Sequence, residues 1–173
     1  MKKIRKYLGE LISKNEKSWY KPELFKADIL SLIPTEIKII ELPPIEDKNY
    51  NCFIYILGLN YDENIVKDSK GFIYSSFIEK LVKEDKIKLV NKPSAGNIIF
   101  YRNPKKFKNV ITHAGIIQKN GKVISKWSWG PTIKHKVFDV PDFYGDKISY
   151  SKSISKRKAR EFYWQYKGFN KKN

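Results

Sequence analysis

Thr112-His113-Ala114-Gly115-Ile116-Ile117-Gln118-Lys119-Asn120-Gly121-Lys122-Val123-Ile124-Ser125-Lys126-Trp127 is the stretch whose reading decides the fold. Two runs rich in β-branched residues flank Lys119-Asn120-Gly121, and Asn-Gly accepts the positive φ angles of a tight turn. The stretch therefore reads as a β-hairpin. Working outward, Ile98-Ile99-Phe100-Tyr101 is a strong strand entered through a turn at Pro93 and Gly96. Asn103-Pro104-Lys105-Lys106 reads as a loop, Ile87-Lys88-Leu89-Val90 alternates, and further short strands are expected at 132–138 and 147–151. The second half of the chain is thus an antiparallel meander.

The first half has the helical period instead. Ile4, Leu8, Leu11 and Ile12 mark a helix over 2–14, and Phe72, Ile73, Phe77, Ile78, Leu81 and Val82 mark one over 72–84. Residues 22–33 open on Pro22, place Leu24, Phe25, Ile29, Leu32 and Ile33 on one side, and stop at Pro34. Ile37, Ile39 and Ile40, before Pro43-Pro44, read as a short strand or extended arm. Helices first and a meander afterwards is an α+β pattern, with N-terminal helices packed on a central antiparallel sheet. The organisation expected is a helical extension over 1–47, a domain over 48–151 and a basic aromatic tail or helix over 152–173.

The single cysteine lies in Tyr50-Asn51-Cys52-Phe53-Ile54-Tyr55-Ile56-Leu57-Gly58. The polar turn before it and the all-round apolar run after it read as a buried helix over 51–58 with Cys52 in its first turn. A helix start favours the thiolate, which is the nucleophilic form. His113 follows downstream on a strand and can act as the base that takes the thiol proton. A small buried apolar residue and a core histidine are the structural alternatives for the same pair.

Composition sets the bounds. A chain of 173 residues fits one domain, and one cysteine excludes an internal disulfide. No run reaches the ~20 apolar residues of a membrane helix. Glu10, Lys14, Glu16 and Lys17 interrupt the place of a signal-peptide core, so the protein reads as cytoplasmic unless it is exported by another route. Lys+Arg number 35 against 18 Asp+Glu, a net charge of +17. That charge attracts polyanions such as nucleic acid or an anionic surface. A lysine-rich and isoleucine-rich source composition would produce it as well. With 2 histidines, one cysteine and no clustered carboxylates, neither a structural zinc site nor a cofactor is expected.

Four segments carry a resemblance: Tyr50-Asn51-Cys52 with Leu57-Gly58, Ala95-Gly96-Asn97-Ile98-Ile99-Phe100-Tyr101, Thr112-His113-Ala114-Gly115-Ile116-Ile117, and Asn120 to Trp127. In this order they resemble NlpC-like papain-fold cysteine peptidases and amidases over about residues 48–151. A closer likeness is to uncharacterised bacterial and phage relatives with a Ser-Lys-Trp strand, here Ser125-Lys126-Trp127. These also carry Gly130-Pro131, then His135, then Pro141-Asp142-Phe143-Tyr144-Gly145. The resemblance implies a papain-like fold, Cys52 as nucleophile, His113 as general base and an amide substrate, peptidoglycan peptides included. The family's third polar residue falls at Ser125, a weaker orienter than an amide or imidazole. The family's Asp after the strand glycine is Asn97 here.

His135, between Lys134 and Lys136, reads as a surface residue unless its strand folds back to substitute for Ser125. A three-residue turn at 119–121 keeps Ser125 on the His113 face, and a two-residue turn sends it to the other face. The family's third position agrees with the longer turn. The alternative function is a catalytically silent relative that binds a polyanion through its lysines and the 156–160 cluster.

Overall fold

The computed structural model describes residues 2–45, 48–108 and 110–168. Helix α1 spans Lys2–Lys14 and a short α2 spans Glu16–Trp19. Helix α3, Pro22–Leu24, continues through a wide π turn, Phe25–Ile29, into a 3-10 turn, Leu30–Leu32. That change of pitch buries Phe25 and Ile29 but turns Leu32 outward, against the single apolar side expected of 22–33. Strand β1 is Lys38–Glu41. Helix α4 is Cys52–Ile56, α5 is Glu63–Asp68 and α6 is Ser75–Lys83. The remaining strands are β2 Leu89–Val90, β3 Ile98–Arg102, β4 Ile111–Ile117, β5 Val123–Lys126, β6 Thr132–His135 and β7 Lys147–Ser151. Helix α7, Pro104–Phe107, and the 3-10 turn Asp142–Tyr144 interrupt them, and α8, Lys156–Tyr166, closes the chain.

Three short helices, α2, α5 and α7, were not expected, and the last two begin with side-chain caps. Asp62 accepts from the Ile65 N–H, and Asn103 accepts from the Lys106 N–H with Pro104 in the first turn. The 103–106 segment is thus a helical turn rather than an open loop. The C-terminal segment is a helix, capped by Ser155, with Ala159 and Tyr163 in the core.

One sheet runs through the molecule in the order β1-β6-β5-β4-β3-β7-β2, with every neighbour antiparallel. The fold is α+β. Gln118 N–H donates to Lys122 O and Ile116 pairs with Ile124, which is the register of the three-residue turn. The β4–β5 ladder stops at that pair. Below it the two strands part, and the opening between them holds the site.

Each face of the sheet carries its own core. Phe100 and Ala114, paired across β3 and β4, face α4, α6 and α8 with Ile54, Phe77 and Tyr163. Tyr101 and His113 form the next pair and face the other way. There Ile99, Tyr101 and Val123 meet Leu8, Trp19 and Phe25. Residues 2–45 therefore supply the helical side of one of the two cores, and β1 adds an edge strand to the sheet.

Candidate active site

The start of α4 is fixed at Asn51. Its side chain accepts from the Ile54 N–H at 3.2 Å and donates to Ile73 O at 2.8 Å, while its backbone N–H donates to Gly71 O at 2.9 Å. Cys52 follows as the first helical residue, buried, and packs with Ala114 of β4. It lines a cavity of about 240 Å³ together with Trp19, Thr112, Trp127, Ser128 and Tyr144.

Burial pushes the Cys52 thiol up to about 12, against the pull of the backbone N–H groups of Ala114, Cys52 and Phe53. The expectation of a thiol lowered by its helix start is thereby corrected. A helix of five residues carries little dipole, and desolvation of the anion outweighs three amide donors. The sulfur is nevertheless held against Ala114, the chain neighbour of His113.

His113 is fully buried on β4. Its ring stacks on Tyr144, with centroids 3.8 Å apart and planes 9° from parallel, and Tyr101 lies at 5.6 Å. Neither ring nitrogen has a hydrogen-bond partner among the described residues. The thiol packs with Ala114 on the α4 face of the sheet, whereas the His113 ring turns to the opposite face, against Tyr144, and does not line the thiol cavity. The expectation of an imidazole within hydrogen-bond reach of the thiol is not met. Burial, and then His135, hold His113 well below its ordinary range, so the ring is neutral.

Ser125 does lie on the His113 face. A Cβ placed on Gly115, two residues along β4 from His113, would come within 2.9 Å of the Ser125 Cβ. The Ser125 hydroxyl, however, is engaged elsewhere. His135 Nδ1 lies 2.7 Å from Lys136 O and must donate there, since a carbonyl only accepts. Nε2 is then the acceptor, and Ser125 donates to it at 2.8 Å while accepting from Trp127 Nε1 at 2.9 Å. His135 is no surface residue: β6 folds back beside β5 and buries it completely. Burial lowers it to about 4, although the Lys136 carbonyl pulls the other way. Ser125 and His135 pair with each other, and the group that orients His113 is the Tyr144 ring.

The family model of a domain of unknown function, DUF7689, matches residues 43–152. The chain belongs to this family. Comparison with curated proteins and with solved structures finds no match. The DUF7689 region carries Cys52, His113, Ser125, His135 and Tyr144, whereas Trp19 reaches the cavity from before it.

Two further residues of the DUF7689 region were missed as participants. Tyr144 stood only within a matched segment, and nothing in the chain near residue 144 announces a partner at residue 113. Lys126, next to Ser125, is almost fully buried. Its Nζ donates to Gly130 O and lies 4.7 Å from the centre of the Tyr50 ring. Burial pushes it down to about 7, with Glu41 pulling it up. Alternation along β5 hides it, because Ser125 and Lys126 serve opposite faces. Among the described residues, no three His, Cys, Asp or Glu side chains gather to hold a metal ion, and no helix is long and apolar enough to cross a membrane.

Proposed function

We propose that this chain is a papain-like cysteine hydrolase that attacks an amide through Cys52, with His113 as its base. One observation carries the reading. The Cys52 sulfur lies in a cavity at the first turn of a buried helix, with the N–H groups of Ala114, Cys52 and Phe53 turned to it and His113 next along β4. Those donors favour negative charge at the sulfur, and they are suited to an oxyanion formed beside it. A neutral imidazole with both nitrogens free is the form that accepts a proton.

In the resting site thiol and imidazole are both neutral. Proton transfer therefore accompanies binding of the acyl group rather than preceding it. Cys52 attacks the carbonyl carbon, and its proton passes to His113 once binding brings together the ring and the thiol, which lie on opposite faces of the sheet in the resting site. The same ring then protonates the leaving amine. Water completes the cycle by hydrolysing the thioester. Ser125 and His135 keep Trp127 in the cavity wall and take no proton in this scheme.

The test is covalent labelling by a peptide carrying an acyl-site electrophile, read by mass spectrometry of Cys52. Labelling is expected at neutral pH in the native protein and is expected to be lost in His113→Gln, whose fold is checked by circular dichroism. Equal labelling in both proteins would reduce Cys52 to an ordinary thiol, and no labelling in either would end the hydrolase reading.

A further inference from the structure

Beside the thiol cavity lies an open groove of about 1090 Å³, above the usual range for a small-molecule pocket. Three chain segments form the wall between the two. Tyr50, Gly71 and Trp129 line the groove, and their immediate neighbours Asn51, Phe72 and Ser128 line the cavity. A single carbonyl ties the segments together: Gly71 O accepts the Asn51 N–H at 2.9 Å and the Trp129 Nε1–H at 3.2 Å. Gly71 has φ +71, and a Cβ there would meet Asn49 O at 2.1 Å, so the wall admits no other residue without moving. The groove therefore ends where Cys52 begins.

Its lining combines rings and cations. Trp129 is 36% exposed, edge-on to Tyr20 and Phe72, and Tyr61 is 77% exposed with Lys156 Nζ 5.0 Å from its ring centre. Lys48, Lys67 and Lys70 also line it, and none makes an ion pair among the described residues. On α1 and α6, by contrast, Lys6, Lys14 and Lys80 each meet a glutamate. Of the two carboxylates on the lining, Glu41 already accepts from Thr132 at 2.9 Å, and Glu63 opens α5. Lysine ammonium groups pair with carboxylates, and Trp and Tyr faces cover a planar side chain.

We propose that this groove binds an acidic peptide segment carrying an aromatic residue, and that it leads the bound chain to Cys52. The second half rests on the hydrolase reading, and the first half does not. Carboxylates of the peptide meet Lys48, Lys67 and Lys70. Its ring lies against Trp129 and Tyr61, and the backbone passes Gly71 into the cavity.

The experiment is fluorescence anisotropy with a labelled, capped peptide of glutamates around one tyrosine, compared with the glutamine version. Saturable binding is expected for the acidic peptide. The triple reversal Lys48→Glu, Lys67→Glu, Lys70→Glu is expected to weaken it about tenfold or more. A control reversal of equal charge at Lys17, Lys92 and Lys147 is expected to leave it within about twofold. Trp129→Ala is expected to weaken it as well, with Cys52→Ala unchanged. Equal losses in the two triple variants would assign binding to the overall charge and overturn the proposal. So would absence of saturable binding, or a preference for a single-stranded oligonucleotide with the same dependence on Lys48, Lys67 and Lys70. Binding that persists while Cys52 labels with no electrophile keeps the groove and removes only the hydrolase reading.

Discussion

The two faces of the sheet are built from different chemistry. On the face toward α4, α6 and α8, β3 and β4 present Ile98, Phe100 and Ala114 to an almost wholly apolar core, and Cys52 is its one thiol. On the other face the same strands present Tyr101 and His113, and β5 and β6 add Ser125 and His135, all buried. The first face gains its stability mainly from buried apolar area. The second buries polar groups that must be satisfied, and the two His113 nitrogens have no hydrogen-bond partner among the described residues. An unsatisfied buried imidazole reduces stability, and under the proposed function it is the free proton acceptor. The cavity lies where the two faces meet, at the parting of β4 and β5.

The largest effect expected is on the apolar face. Phe77 is buried and packs edge-on against Tyr163. Phe77→Ala is expected to cost about 3–5 kcal/mol in denaturant unfolding. A loss as small as that of a surface change would show that this face is not the main source of stability.

Acid sharpens the contrast from the polar face. Above pH 6.5 His135 is neutral whether folded or not. Below that pH the unfolded chain takes up a proton that the folded site resists down to about 4. Stability is therefore full above 6.5 and falls by about 1.4 kcal/mol per pH unit between 6.5 and 4 for this residue, with His113 adding to the slope. His135→Gln is expected to flatten the decline in chemical denaturation across that window. An unchanged slope would break the assignment.

Ser125→Ala comes next. It strips His135 Nε2 of its donor and Trp127 Nε1 of its acceptor in a buried place. A loss of about 1–3 kcal/mol is expected, with a change in Trp fluorescence. The smallest effect is at the rim of the apolar face, where Tyr163 donates to Asp68 at 2.5 Å. Tyr163→Phe keeps the ring in the core and is expected to cost about 1 kcal/mol. A larger loss than for Ser125→Ala would reverse the ranking of the two faces.

Local pattern and turn chemistry carried most of the architecture. The Asn120-Gly121 hairpin, the strand at 98–101 and the amphipathic helix near 72–84 all stand close to where the period puts them, because each buries one face whatever lies opposite. Short capped turns such as Glu63–Asp68 escaped, since a single Asx cap starts a helix too brief to show a period.

For the candidate site, residue type and order picked out Cys52 and His113, and the family resemblance added Ser125 and His135. The chain by itself also placed Cys52 at a helix start, through the capping chemistry of Asn51. Only the tertiary structure decided what each one meets. It buried the thiol and moved it up instead of down. It paired Ser125 with His135 rather than with His113, and it brought Tyr144 and Trp19 to the site from distant segments. The reason is that capping, alternation and turn register act within a few residues along the chain. Desolvation, ring stacking and hydrogen-bond partnership depend on which segments the folded sheet brings together.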